Sequence, residues 1–428
     1  MIYVGFGMAD ITPKAGMQSP GGMGKRRLEK VHDPLKAVAL TLLRNDLAVG
    51  MVGIDALLVT EEVVARVREK VEPLWKGPGT NLLIGASHTH SGGPIGGGFA
   101  SEADPAYIDL VVDGIVEAVT GAWNSLHAAE VGWGKGHEPS IAFNRRFLMR
   151  DGRQVTHPGK GNPDIVAPAG PIDPDVGVLA ARAPGGEVLG VFVNFACHAT
   201  VMNEPAFSAD YIGFLREALR SQFGNPKLPV GFLLGACGDV TQVDNRRPGR
   251  EFGPAWARMF GNALGAEAFQ AVSRLEWRED AVLDAARVTV PIAIRTPREP
   301  AEEAPKLGLG SGPDAEAVYA RELELLAKER ARRPVIDCEV QALRVGDLGI
   351  VTNGSEFFCR LGLDIKAASP FPSTWVATLT NQSLGYVATA DAFFAGGYEV
   401  RTARSSKLVP QAGQKLVEGA LEALGKLD

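Results

Sequence analysis

Apolar runs of strand length alternate with longer segments of helical period along the whole of this 428-residue chain. The predicted strands lie at residues 37–43, 48–54, 81–86, 176–183, 188–196, 230–235, 339–345, 348–353 and 374–380. The predicted helices lie at residues 61–71, 105–126, 212–223, 254–275, 315–332 and 411–424. This alternation is typical of an α/β architecture, in which helices cover the faces of a sheet.

Two turns indicate that some of these strands pair in antiparallel fashion. The Pro-Gly-Gly turn at residues 184–186 separates two apolar runs, a pattern that predicts a hairpin. The turn at residues 345–347 predicts a second hairpin. Mixed sheets are therefore expected rather than a purely parallel one, and we predict an α/β fold with mixed β-sheets flanked by helices.

The stretch 296–314 is rich in proline, glycine and charged residues and has no apolar period, which is typical of a linker. It would either separate two lobes or form a surface excursion of one domain. The excursion is favoured because the chain beyond this stretch again carries residues suited to chemistry. We therefore expect a single domain over residues 1–428.

Charge and composition exclude several classes of function. The chain has 44 Lys and Arg residues against 50 Asp and Glu residues and no basic stripe, so a nucleic acid partner is not expected. It has no apolar run of 18 residues or more, and its N-terminus lacks a basic region followed by an apolar one, so we expect neither a transmembrane segment nor a signal peptide. Its four cysteines show no C-x-x-C spacing. A cytoplasmic protein is the expectation, with a trimmed secreted form as the alternative.

Four of the predicted strands end in polar residues. The clusters are Ser87-His88-Thr89-His90, Cys197-His198, Cys237-Gly238-Asp239-Val240-Thr241 and Gly354-Ser355-Glu356. Ligands of open α/β sheets collect outside the carboxyl ends of the strands, where the following loops converge. We therefore predict that these clusters form one site.

The spacing of His88 and His90 predicts that their side chains lie on the same side of the chain, because residues i and i+2 of an extended chain point the same way. Two imidazoles facing one cavity, with His198 and a carboxylate, are typical ligands of a catalytic zinc. The alternatives are two polar residues at a strand end and, for His198, a buried histidine with satisfied hydrogen bonds. The clustering after strands favours a metal site. The other histidines, His32, His127, His137 and His157, are predicted to be solvated.

A series of short motifs runs in order along most of the chain. They are GMADITP (7–13), HTHSG (88–92), NRR (144–146), NFACH (194–198), SADY (208–211), GACGDVT (235–241), GSE (354–356), YVAT (386–389) and YE (398–399). Their ordered succession resembles the neutral/alkaline ceramidase family, specifically its zinc-dependent catalytic domain.

The resemblance implies a ligand set and a reaction centre. One Zn²⁺ per chain would be held by His88, His198, Glu356 and Tyr386. The resemblance also implies that His90, Arg145 and Tyr398 line the reaction centre as donors to an oxyanion or a leaving amine. It therefore makes His90 a neighbour of the metal and not a ligand.

Two residues of the GACGDVT motif, Thr241 and Asp239, each have two alternative roles. Thr241 stands where the family has a serine that helps to present the nucleophile; its hydroxyl could act directly, but its extra methyl group crowds the site. Whether Thr241 or a water bound to zinc attacks is open. Asp239 is predicted to orient its neighbours in the reaction centre, with loop capping as the alternative.

The function implied is zinc-dependent hydrolysis of an N-acyl amide, either a ceramide-like lipid or a smaller amide. The alternatives are an esterase or lactonase with the same site, and a binding protein without catalysis. The chain is short for the family, so we expect no C-terminal immunoglobulin-like domain. The loop 242–247 carries Arg246 and Arg247, which would favour a polar or anionic substrate unless they are simply solvated. The sequence specifies no oligomeric state.

Overall fold

The strands and helices account for most of the structure, a computed structural model that describes residues 1–75, 81–297 and 308–427. The strands are β1 (Ile2–Asp10), β2 (Lys30–Val31), β3 (Lys36–Arg44), β4 (Leu47–Ile54), β5 (Leu82–Ala86), β6 (His127–His137), β7 (Phe143–Asn144), β8 (Arg146–Met149), β9 (Gln154–Thr156), β10 (Ile165–Pro168), β11 (Asp175–Arg182), β12 (Val188–Phe195), β13 (Ala206–Phe207), β14 (Val230–Leu234), β15 (Val240–Thr241), β16 (Leu283–Ala293), β17 (Val335–Val345), β18 (Leu348–Asn353), β19 (Glu356–Phe357), β20 (Ser373–Thr378) and β21 (Tyr386–Val387). The helices are α1 (Glu61–Val71), α2 (Pro105–Asn124), α3 (Tyr211–Gln222), α4 (Pro254–Ser273), α5 (Pro313–Arg332), α6 (Cys359–Ala368), α7 (Ala390–Ala395) and α8 (Ala412–Leu424).

The largest sheet has eight strands in the order β14-β12-β11-β6-β1-β3-β4-β5. The pairs β12/β14 and β4/β5 are parallel and the other pairs are antiparallel. The side chains of β4 pack in two different hydrophobic cores, one on each face of the sheet. Val49 and Met51 belong to one core, and Val52 and Ile54 belong to the other. The strand is therefore apolar throughout, because both faces of the sheet are covered.

The two ends of this sheet approach each other. A Cβ atom added at Gly53 of β4 would lie 2.3 Å from the carbonyl oxygen of Phe232 in β14. Only glycine allows two backbones to come this close. The sheet therefore curls, and the carboxyl ends of β5 and β14 face a common region.

A second sheet of four strands, β16-β17-β18-β20, packs against the first one. Leu343, Ile350 and Trp375 share a buried core with Leu40 and Met51 of the large sheet. This packing brings the end of β18, and with it Glu356, beside the ends of β5 and β12.

The predicted α/β fold with mixed sheets flanked by helices is confirmed. Each predicted strand and helix is present with ends that differ by a few residues, and both hairpins occur as β11/β12 and β17/β18. The elements that were not predicted are strands β1, β6 and β16, the short strands β2, β7, β8, β9, β10, β13, β15, β19 and β21, and helices α6 and α7. Most of the predicted linker 296–314, residues 298–307, lies outside the described residues, and the single domain stays a prediction.

Among the described residues, no helix is both long enough and apolar enough to cross a lipid bilayer.

Candidate active site

Three of the four predicted clusters meet at Glu356. Its Oε2 lies 3.2 Å from Nε2 of His88, which follows β5, and 3.3 Å from Nε2 of His198, which follows β12. Nε2 of His90 lies 3.3 Å from Nε2 of His88. All four side chains are largely removed from solvent. The convergence predicted from the strand ends is thus present in the structure.

The three imidazoles share one feature that fixes their tautomers. In each ring Nδ1 faces a backbone carbonyl, so Nδ1 carries the hydrogen and donates it. The accepting oxygens belong to Leu57 at 2.8 Å for His88, Gly21 at 2.5 Å for His90 and Cys237 at 2.8 Å for His198. Each Nε2 therefore presents a lone pair to the cluster, as is usual for histidines that bind metals.

The electrostatics of the cluster favour a cation. Burial, together with the charge of Arg145, lowers the pKa of His198 to about 4. Burial, helped by His88 and His198, holds the pKa of His90 well below its usual value. One ring nitrogen from each of the three histidines lies within 4.8 Å of those of the other two. Three lone pairs and a carboxylate in so small a volume repel each other, and a divalent metal would remove this repulsion.

The two histidines of the H-x-H motif lie side by side, but the backbone between them is not the extended one that was predicted. Their rings are 4.8 Å apart and nearly perpendicular. However, the backbone at His88 is not extended, because its φ of +65° lies in the left-handed region. A histidine tolerates this conformation better than a branched residue does. The alternation of an extended strand therefore does not explain the arrangement.

Tyr386 lies beside Glu356 because β19 and β21 pair in parallel with these two residues in register. The phenol of Tyr386 is hydrogen-bonded to Glu356, and its oxygen accepts a hydrogen bond of 3.0 Å from Nη2 of Arg145. The same nitrogen donates to the carbonyl of Gly238 at 2.8 Å. Arg145 thus holds the tyrosine against the histidine cluster.

A buried carboxylate anchors this arginine. Glu399, which has no solvent exposure, accepts hydrogen bonds from Arg145 at 2.9 Å, Arg146 at 2.8 Å and Thr156 at 2.7 Å. Burial would raise the pKa of Glu399, but the two guanidinium groups outweigh it and lower the pKa to about 2. Glu399 was not predicted as a site residue, and its place next to Tyr398 was the only signal for it.

Thr241 is buried in the wall of the site. Its hydroxyl donates to Oε1 of Gln242 at 2.6 Å, and the hydroxyl of Thr200 donates to the same oxygen at 2.9 Å. The amide nitrogen of Gln242 donates to the carbonyls of Thr200 and Glu251, which fixes its orientation. The hydroxyl proton of Thr241 thus points to an amide oxygen, which is not a base.

These groups border a cavity of about 530 Å³. Seven of the predicted site residues line it: His88, His90, Arg145, Thr241, Glu356, Tyr386 and Tyr398. The wall also includes the apolar side chains of Met23, Leu57, Leu58, Phe99, Phe252 and Leu309. The cavity therefore combines the polar groups of the candidate site with apolar wall surface.

The other predicted residues are not among those that line the cavity, although His198 contacts the lining residue Glu356. Asp239 accepts hydrogen bonds from the backbone of Cys359 at 2.8 Å and from Asn144 at 2.7 Å, so it caps the start of α6. This agrees with the loop-capping alternative. Arg246 and Arg247 have side chains that are 47% and 79% exposed, which agrees with solvated arginines.

The prediction for His157 was wrong. This residue is partly buried and lines the cavity, with Nδ1 2.9 Å from Oδ1 of Asn245. Burial, together with the charge of Arg145, lowers the pKa of His157 to about 4. The polar residues around it in the sequence suggested a solvated loop, but that loop folds back over the site.

The chain is similar to known ceramidases in part of its sequence and in its fold. No protein-family model matches the chain. In sequence, 217 residues are 28% identical to neutral ceramidase from Pseudomonas aeruginosa, which amounts to 46% of this chain but only 30% of that protein. In structure, the crystal structure of neutral ceramidase from Pseudomonas aeruginosa superposes with a TM-score of 0.74 at 22% identity, over 100% of this chain and 75% of the other. A ceramidase complexed with C2 gives a TM-score of 0.76 at 20% identity, over 99% of this chain and 74% of the other.

The chain is a homologue of neutral ceramidase. The family resemblance inferred from the ordered motifs is thereby confirmed, and the superposition shows that the neutral ceramidase fold extends over nearly all of this chain. The aligned segment covers less than a third of the Pseudomonas protein. The zinc ion and the individual site roles stay predictions.

Proposed function

We propose that this chain is a metal-dependent hydrolase that cleaves the amide bond of ceramide or of a related N-acyl amide. The observation that carries this proposal is the convergence of three largely buried histidines and the carboxylate of Glu356 at a cavity whose wall also carries apolar side chains. Homology to neutral ceramidase supports the amide as the bond that is cleaved.

The donor set fits zinc. His88, His198 and Glu356 would hold the ion, with Tyr386 beside them. Zinc in such a set would polarise the scissile carbonyl and lower the pKa of a coordinated water to about 7. Imidazole and carboxylate ligands also suit other divalent metals, so the metal content of the protein decides between them.

The remaining residues would handle the protons and the developing charge. Nε2 of His90 carries no hydrogen in its fixed tautomer, so it can accept a proton from the attacking water and return it to the leaving amine. The phenol of Tyr398 faces the same cavity, and burial raises its pKa, so it keeps its proton and can donate to the oxyanion. The hydrogen bonds of Arg145 go to Glu399, Gly238 and Tyr386, which favours a positioning role for it.

The apolar part of the cavity wall supports an acyl chain as one part of the substrate. Met23 and Leu309 line it while remaining 38% and 39% exposed, so apolar surface continues from the interior to the outside. Exposed apolar surface next to a binding cavity favours an apolar ligand.

The proposal is tested by metal analysis and hydrolysis of a substrate panel. We expect about one zinc per chain, loss of hydrolysis on treatment with a chelator, and recovery when zinc is added back. The panel contains N-acyl amides, esters and lactones with the same acyl chain, so a preference for esters or lactones would point to the alternative activity. Freshly purified protein that contains no metal, and takes none up, would rule out the proposed mechanism and favour a binding protein.

Substitution of Thr241 decides which group attacks. Because its hydroxyl donates to Gln242, we expect Thr241→Val to lower kcat by no more than about tenfold and to reduce stability by about 1 kcal/mol, the cost of one hydrogen bond. Thr241→Ser should restore both. Steady-state kinetics and thermal unfolding measure these effects. A loss of about a thousandfold or more in the valine variant, in a folded protein with its metal retained, would instead identify Thr241 as the nucleophile.

A further inference from the structure

We infer that His157 is a specificity-determining residue that accepts a hydrogen bond from a hydroxyl group on the amine portion of the substrate. The inference rests on the proposed function, because it names what the same cavity recognises. It assigns a role to a side chain that the proposed hydrolysis does not otherwise use.

The tautomer of His157 is set by the protein. Oδ1 of Asn245 lies 2.9 Å from Nδ1, and the side chain of Asn245 is itself buried. The backbone N–H of Gly161 donates to the carbonyl of Asn245 at 2.8 Å and holds that residue in place. Since an amide oxygen can only accept, Nδ1 carries the hydrogen, and Nε2 is left as an acceptor.

The backbone holds His157 in an unusual conformation. Its φ is +51°, in the left-handed region, and its N–H donates to the carbonyl of Arg145 at 2.9 Å. Non-glycine residues in this region carry strain and cluster at functional sites. The turn after β9 thus directs the imidazole to the cavity that His88, His90 and Glu356 also line.

The imidazole stays neutral at the pH at which the enzyme would work. Burial and the cation of Arg145 disfavour its protonation. A neutral Nε2 that faces a cavity can bind a donor such as a hydroxyl group. His90, which touches His88 in the histidine cluster, is the residue assigned to proton transfer, so His157 is left for recognition of the substrate.

Two amides with one acyl chain test this role. N-octanoyl-2-amino-1,3-propanediol carries hydroxyl groups, and N-octanoyl-2-aminopropane does not. We expect His157→Phe, which keeps a ring but has no acceptor, to lower kcat/KM for the diol about tenfold and to leave the other amide unchanged. His157→Gln, which restores an acceptor, should recover part of the preference. His127→Phe, at an exposed position of β6, serves as the control.

An equal loss for both amides, or no loss for either, would overturn the inference, since a structural role does not depend on the hydroxyl group. Calorimetric binding of the same two amides to wild type and His157→Phe separates this inference from the proposed function. If wild type binds the diol more tightly, the variant loses that difference and neither amide is hydrolysed, then recognition stands and the hydrolase proposal fails. Equal binding of the two amides by the wild-type protein would refute the proposed role of His157.

Discussion

Replacing Glu356 with alanine should remove both the metal and the activity. Among the described residues, Glu356 is the acidic group that contacts both His88 and His198, and its loss leaves three buried imidazoles without a negative charge to offset a cation. Activation by a metal supplies several kcal/mol of transition-state stabilisation, and 1.36 kcal/mol corresponds to a tenfold change in rate. We therefore expect hydrolysis to fall by about a thousandfold or more, with zinc content reduced in parallel.

His88→Ala should behave in the same way, because His88 is the histidine that touches both Glu356 and His90. Elemental analysis and kinetics on the same preparations measure the two effects. The matched control is His137→Ala, since His137 is exposed on β6 and lies outside the cavity lining. Full activity in either ligand variant, or an unchanged zinc content, would contradict the assignment of these residues to a metal site.

Replacing Glu399 with alanine should destabilise the protein strongly. Arg145 and Arg146 are 4% and 2% exposed, and Glu399 compensates both charges. Breaking a buried ion pair by removing one partner costs about 3–5 kcal/mol, because a buried charge is left unpaired. Unfolding in denaturant measures this loss. The activity should fall as well, because Arg145 would no longer be held against Tyr386.

The pH dependence of stability gives a second measure of the same contact. The pKa of Glu399 lies near 2 in the folded protein and near its ordinary value of 4.5 in the unfolded chain. Its stabilising contribution is therefore present above pH 4.5 and is lost as the pH falls towards 2, and it amounts to about 3 kcal/mol. Glu399→Gln should show a flatter loss of stability over this range. A variant as stable as wild type at neutral pH, with the same acid response, would show that the carboxylate contributes little.

The sequence alone predicted much of the site because the relevant signals are local. His88, His198 and Glu356 each follow a contiguous apolar strand, which is a pattern that can be read along the chain. The order of the motifs gives the family resemblance, and the resemblance adds Tyr386 and Arg145 to the site. The strands it missed have weaker patterns. Glycines interrupt β1 and β6, and a proline lies within β16, and both residue types count against a strand. The α/β class nevertheless followed from the alternation that remains.

The sequence by itself determined the residue types at the strand ends and the class of fold, since both depend on neighbours along the chain. The tertiary structure decided what no local pattern encodes: the carbonyls that fix the tautomers of the three histidines, the contact of Glu399 with two arginines, and the return of the His157 loop to the cavity. These contacts join residues far apart in the chain. Glu399 and Arg145, for example, are separated by 254 positions, and only the curling of one sheet and the packing of the other bring such segments together.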